Sequence, residues 1–272
     1  MTITELQQPI QNEYAQFCEM YDKYLRSESQ LLNDVNQYLA LKPGKRLRPL
    51  LVLLSAKACQ TIHHKHIILA LTVETLHNAT LMHDDVVDES NSRRGQDSVR
   101  HRWSNQVAVL CGDYYLSKVM DLLRTISDKQ SANIINNTVS AMCVGELEQF
   151  SADKEHQPSV ETYINIIGKK TASLMAACCE LGARNFDNPE DHTLEQALHD
   201  FGYHYGIVFQ IHDDLNDMNN IHDIGLPDNT LIQQLLDTHT QLARRALAVL
   251  PESKAKTALL SLLLPDAPQP VL

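Results

Sequence analysis

Apolar residues recur at spacings of three and four along most of this chain, the period that lines one face of an α-helix. No stretch of useful length alternates in the two-residue period of a strand, and Gly and Pro are few, so the pattern predicts an all-α fold. A first helical region over about 8–41 carries a stripe of Phe17, Met20, Tyr24, Leu31, Val35 and Leu39, and Lys42-Pro43-Gly44 ends it. A short apolar helix follows through Leu50–Ala56, then a long one over about 67–90 and another through Val107–Leu116. Further helices are predicted at about 131–152, 159–183 and 190–220, and the Pro-rich end at 265–272 reads as a disordered tail. A length of 272 residues is within reach of one large helical domain, and 1–272 is read as one.

The long helix ends in the most informative stretch, His83-Asp84-Asp85-Val86-Val87-Asp88, followed by Arg93-Arg94-Gly95. Positions i and i+4 share a helix face, so Asp84 and Asp88 point the same way, with Asp85 one step round. Two ionised carboxylates about 4 Å apart repel by roughly 4 kcal/mol at an effective dielectric near 20. A divalent metal offsets that: Mg²⁺ takes oxygen ligands, commonly one or two carboxylates together with substrate phosphates. The arginine pair fits the same chemistry, because guanidinium binds phosphate oxygens bidentately. By itself the motif reads equally well as a solvated acidic helix end beside a basic turn.

Other clusters shift that balance. Gly44-Lys45-Arg46-Leu47-Arg48-Pro49 places three cations at the start of a helix, where the helix dipole favours anions, so a bound anion is expected there. His77 lies two turns before Asp84 on nearly the same face, a structural histidine or a donor to phosphate. Lys170 and Thr171 sit inside an apolar helix, where a cation needs a partner or a site. A second acidic motif, Gln210-Ile211-His212-Asp213-Asp214-Leu215-Asn216-Asp217, puts Asp213 and Asp217 on one face. His63, His64 and His66 read as a solvated turn, and the six cysteines (18, 59, 111, 143, 178 and 179), with no CxxC pair, as buried free thiols.

Composition adds exclusions. Net charge is −11, which argues against general nucleic-acid binding. No apolar run approaches the roughly 18 residues of a membrane span, and Met1–Pro9 lacks the basic-then-apolar order of a secretory signal. A cytoplasmic protein is therefore expected.

Taken in order, Gly44–Pro49, His83–Asp88 with Arg93-Arg94-Gly95, Lys170-Thr171 and Phe209-Gln210 with Asp213–Asp217 resemble the signature of the trans-type polyprenyl diphosphate synthases, over about 44–217. The resemblance implies a helical bundle around a deep central cavity, usually a homodimer. It also implies condensation of isopentenyl diphosphate with an allylic diphosphate through a Mg²⁺-assisted allylic carbocation, giving a longer trans-polyprenyl diphosphate. Asp84, Asp85, Asp88, Asp213 and Asp217 would hold Mg²⁺, about three ions per site. Arg93, Lys170, Thr171 and Gln210 would contact the allylic diphosphate, while Lys45, Arg48, His77 and Arg94 match the isopentenyl diphosphate site. The groups expected to act in ionisation are Asp84, Asp85, Asp88, Arg93, Lys170 and Asp213. Ala79 and Thr80, one turn upstream of Asp84, are small where short-chain members carry aromatic rings, which implies a product longer than farnesyl. A product of that length is expected to leave by way of a membrane or a carrier.

The chain departs from the family pattern after Asp217. Residues 218–243 contain no Lys or Arg, so the diphosphate-binding lysine of the family has no counterpart there, and His222 and Arg244 are the nearest substitutes. Two readings stay open: an active synthase with a trimmed lid, or a non-catalytic partner subunit or isoprenoid diphosphate-binding homologue.

Overall fold

A computed structural model describes residues 2–152, 159–216 and 229–264. Asp217, the cation-free stretch up to 228 and the tail at 265–272 lie outside these described residues. The helices run α1 (Ile3–Gln7), α2 (Gln11–Tyr24), α3 (Gln30–Ala40), α4 (Leu47–Cys59), α5 (His64–Val87), α6 (Val99–Arg102) and α7 (Asn105–Ile126). They continue as α8 (Lys129–Ala152), α9 (Val160–Ile167), α10 (Ser173–Ala183), α11 (Glu195–Asn216), α12 (Asn229–Ala246) and α13 (Lys254–Ser261). Helices carry the described fold, as the periodicity predicts; the one sheet among the described residues is a two-residue hairpin, β1 (Ser92–Arg93) with β2 (Gln96–Asp97).

Two central helices organise the bundle. In α4 every residue from Leu47 to Ala56 is buried, and α5 is buried almost continuously from His66 to Ala79. A helix apolar all round must be covered all round. Accordingly α5 packs on α4 and α7, α4 packs on α10 and α13, α10 packs on α11, and α12 covers α11. Each fully buried leucine, such as Leu50, Leu51, Leu53, Leu54, Leu69 or Leu71, removes apolar surface from water worth about 1.5–3 kcal/mol.

The first helical region is broken where one helix was expected. Ser29 caps α3 by accepting from Leu32 N, while Asn33 bonds both backbone groups of Ser27 and Asn36 Nδ2 donates to the Leu25 carbonyl. These side chains give the backbone of 25–29 partners outside a helix. The break lets Phe17 join the main core and Val35 join a second cluster with Met82 and Tyr115, while Leu31 of the expected stripe stays 46% exposed.

The histidine turn is also corrected. His63 and His64 are exposed, but His66 is fully buried: its Nδ1 accepts from His63 N, and its Nε2 donates to the Arg184 carbonyl. Burial pushes its pKa down to about 4, so it serves as a neutral bridge. Among the cysteines, Cys111, Cys178 and Cys179 are buried, Cys18 and Cys59 are half-buried, and Cys143 is exposed, contrary to the expectation for all six. No described helix is long and apolar enough to cross a membrane.

Candidate active site

Both acidic motifs occupy the C-terminal ends of long helices. Asp84 and Asp85 lie in the last turn of α5, which Asp88 terminates by donating its N–H to the Asp84 carbonyl at 2.8 Å. Asp213 and Asp214 lie in the last turn of α11, and neither helix has a basic residue in that turn. A helix C-terminus carries partial negative charge and prefers cations. Carboxylates placed there gain nothing from the fold and need countercharge from elsewhere.

Asp84 shows the result. Burial, then the Glu146 carboxylate, then Asp88 push its pKa up to about 7, against the opposing charges of Lys170 and Arg93. Lys170 reaches Glu146 at 2.9 Å, so α8 supplies both an acid and, through that acid, an anchor for the lysine. Lys169 pairs with Glu148, two residues further along α8. Asp85, expected among the metal ligands, is instead 3% exposed and committed to Arg93, whose Nε and Nη2 both donate to Oδ1 at 2.9 and 2.7 Å. A carboxylate already satisfied by a guanidinium in a buried pair is a poor metal ligand. Nη1 is the Arg93 nitrogen that this pair does not use.

Lys170 and Thr171 fall in a π-helical turn, Gly168–Ala172, that joins α9 to α10. Such turns are costly and recur at functional sites. Close backbone approach holds this one in place. A Cβ on Gly145 of α8 would stand 2.9 Å from Lys170 N, and one on Gly206 of α11 would stand 2.5 Å from Ala172 Cα. Gly206→Ala is therefore expected to push α11 from the turn and cost about 1–3 kcal/mol of stability, read as a lower midpoint in urea unfolding. Thr171 Oγ1 donates to Gln210 Oε1 at 2.8 Å, so the expected allylic-side residues of the π turn and α11 are in contact.

The cationic cluster forms a separate pocket lined by Lys45, Arg48, His77 and Arg94, with Glu74 and Phe209. Arg94 and Gly95 both have positive φ and make the tight turn of the hairpin, which Lys42 and Tyr38 tie to α3 by bonding the carbonyls of Gly95 and Asp97. The Arg94 guanidinium lies against Gly44, where a Cβ would stand 2.8 Å from Cζ. Burial lowers the Lys45 pKa and the Asp213 carboxylate opposes that shift, which relates this pocket to the second acidic motif.

His77 Nε2 accepts from Arg48 Nη1 at 2.9 Å, and burial followed by the charges of Arg48 and Arg94 holds its pKa well below the usual range. The ring is therefore neutral and orients Arg48; Nε2 is not the phosphate donor the sequence suggested. Arg48 Nε is buried with no hydrogen-bond partner, an orphaned donor that an anion would satisfy. Glu74, 2% exposed, has its pKa raised by burial and lowered by Arg94, Arg48 and Arg46, in that order.

Among the described residues no three acidic, imidazole or thiol groups converge closely enough to hold a metal by themselves. The donor set fits a cation that takes one or two carboxylates and fills its remaining positions with water and substrate oxygens, as Mg²⁺ does. Asp88 is exposed, and Asp217 lies outside the described residues. Of the two residues expected to set chain length, Thr80 lies one helical turn from Asp84 on its face. Ala79 is fully buried in the cluster that includes Cys111 and Tyr115 of α7, away from that face. Arg244, suggested as a replacement cation, is exposed in the last turn of α12.

Sequence reasoning gave no role to Glu146, Glu148, Tyr163 or Asp214. Tyr163 Oη donates to Asp214 Oδ2 at 2.5 Å, a contact across 51 residues for which no local pattern is a signal.

The family model described as polyprenyl synthetase matches residues 29–225. Component 2 of the heptaprenyl diphosphate synthase of Bacillus subtilis is 34% identical over 207 residues, which is 76% of this chain and 59% of that protein. The octaprenyl diphosphate synthase of Escherichia coli is 33% identical over 196 residues, 72% of this chain and 60% of that protein. The chain thus spans about three-fifths of the length of these curated relatives. A crystal structure of a decaprenyl diphosphate synthase from Rhodobacter capsulatus superposes with a TM-score of 0.84 at 28% identity, covering 96% of this chain and 97% of that one.

Proposed function

Because the chain belongs to the polyprenyl synthetase family, we propose that it is a Mg²⁺-dependent prenyltransferase that joins isopentenyl diphosphate to an allylic diphosphate. The observation that carries this reading is the separation of two unlike anion sites. One is acidic, around Asp84 with Lys170 and Gln210; in the other the cations Lys45, Arg48 and Arg94 outnumber the buried Glu74. An enzyme with a single diphosphate substrate has no use for the second.

Asp84 and Asp88 on one side and Asp213 and Asp217 on the other would hold Mg²⁺, about three ions per site, which would supply countercharge for ionisation of the diphosphate's bond to carbon. Lys170, Gln210 and Arg93 through Nη1 hold the same diphosphate and stabilise charge as it departs, with Thr171 bonded to Gln210. Lys45, Arg48 and Arg94, with Arg48 set by His77, place the double bond of isopentenyl diphosphate beside the cation. A new carbon–carbon bond forms, and a proton passes to the released diphosphate. The buried apolar walls of α4, α5 and α11 exclude water, which would otherwise trap the cation.

A homodimer belongs to the same reading, with exposed Leu110 and Met120 on α7 and Leu147 and Phe150 on α8 as its apolar contacts. A cytoplasmic location does too. The second reading, a subunit acting with a different partner, is supported by the cation-free stretch after Asp217. Incubation with isopentenyl diphosphate, allylic primers of several lengths and Mg²⁺, followed by product chromatography, separates the two. Elongation is expected, and diphosphate binding without elongation favours the second. Thr80→Phe is expected to shorten the product by at least one isoprene unit; an unchanged product length removes Thr80 from the wall of the chain-length cavity.

A further inference from the structure

The second residue of the second acidic motif is held through both of its carboxylate oxygens. Asp214 Oδ2 accepts from Tyr163 Oη at 2.5 Å, and Oδ1 accepts from Gln210 Nε2 at 2.9 Å. Gln210 Oε1 in turn accepts from Thr171 Oγ1 at 2.8 Å. The chain runs directly from Tyr163 through the rest of α9 into the π turn that carries Thr171. The three bonds therefore close a ring from α9, across the end of α11, and back to the π turn.

The ring has a chemical polarity. An ionised carboxylate only accepts, so the group of Gln210 beside Asp214 is its amine and the group beside Thr171 is its carbonyl. The amine has a second N–H, which Asp214 Oδ1 does not take. Thr171 spends its one hydroxyl proton on Gln210 and keeps only lone pairs for anything else. Gln210 thus has a donor fit for an anion, while Thr171 offers an acceptor fit for a hydrated cation. Were Asp214 free to turn, the amide could flip and present its carbonyl to the anion instead.

Tyr163 has the surroundings to prevent that. It is 4% exposed, in a cluster with Ile167, Ala172, Ile207 and Ile211, so its ring is fixed by packing and its hydroxyl is the polar tip. We propose that Tyr163 is a positioning residue for the allylic diphosphate subsite: its hydroxyl fixes Asp214, and Asp214 fixes the amide of Gln210 with its N–H toward the anion. This rests on the function proposed above, and it assigns Asp214 to orientation rather than to metal binding.

Tyr163→Phe in the full chain keeps the packed ring and removes only the hydroxyl. Binding of farnesyl thiolodiphosphate, which does not ionise, is measured by calorimetry with Mg²⁺, and KM for each substrate is measured alongside. Binding of the thiolodiphosphate is expected to weaken by roughly 3- to 10-fold, the share of about one ordinary hydrogen bond. KM for the allylic substrate should rise with it, while KM for isopentenyl diphosphate stays within about twofold. A merely structural role would raise both constants together, and that result overturns the inference. Equal thiolodiphosphate binding by the variant and the unaltered protein also overturns it, alone. An unaltered protein that binds no thiolodiphosphate overturns the functional reading and the inference with it.

Discussion

Asp84→Asn is expected to abolish turnover and, at the same time, to make the metal-free protein harder to unfold above pH 7. The carboxyl is pushed up to about 7 by burial, by Glu146 and by Asp88, from an ordinary value of 3.8. The folded state therefore holds a proton that the unfolded state gives up between those values. Stability of the unaltered protein falls as pH rises through that window, and the full penalty is present above 7. Asparagine has no charge to confine. The stability advantage of the variant should be near zero at pH 4, grow up to about pH 7 and then level off. On the order of 1–3 kcal/mol is reasonable once partial exposure is discounted. Mg²⁺ with inorganic diphosphate should close the gap by stabilising the unaltered protein at pH 8 and leaving the variant unmoved. Turnover should fall by at least about 10²-fold, the usual loss when a group that stabilises transition-state charge is removed. Urea unfolding across pH 4 to 8 checks the first part and the elongation assay the second. A variant less stable than the unaltered protein at pH 8 would show that the Asp84 charge is already compensated in the fold.

The second large effect lies at the opposite kind of site, where charge is compensated by the protein alone. Arg184 is 1% exposed. Its Nε and Nη2 donate to the two oxygens of Asp128 at 3.2 Å, and its Nη1 donates to Glu195 Oε1 at 2.5 Å. Its own carbonyl accepts from His66 Nε2 at 2.9 Å and from Gln60 Nε2 at 2.6 Å. One residue thus ties the α4–α5 turn, the α7–α8 turn, the end of α10 and the start of α11. Arg184→Met leaves Asp128 and Glu195 without their countercharge, and removal of one partner from a buried ion pair typically costs about 3–5 kcal/mol. That is a large part of the stability of a typical protein. A urea midpoint close to that of the unaltered protein would mean that water reaches the two carboxylates.

The contrast between these sites explains what was legible from sequence. The acidic motifs, the cationic cluster and Lys170-Thr171 were readable because each is a local pattern on one element, and an i, i+4 relation holds wherever a helix forms. The limits of α4 and α5 were readable to within a few residues for the same reason. The break in the first helix was not, because capping serines and asparagines at 27–36 outweigh an unbroken apolar stripe. His66 was misread because a cluster of histidines looks polar until a backbone carbonyl from residue 184 reaches it. Asp85 and Arg93 were both placed by sequence at the metal and the diphosphate, whereas the hairpin folds Arg93 back onto Asp85.

The sequence by itself determined that the fold is helical and which segments carry acids, cations and amides, since these follow from periodicity and residue chemistry within a few turns. Tertiary structure alone decided the pairings: Asp84 beside Glu146, Arg48 on His77, and Asp214 held between Tyr163 and Gln210. Whether a carboxylate faces a cation, another acid or a hydroxyl depends on how far two helices approach. Here that distance is set by single glycines, such as Gly145 and Gly206, pressed against backbone from a distant part of the chain.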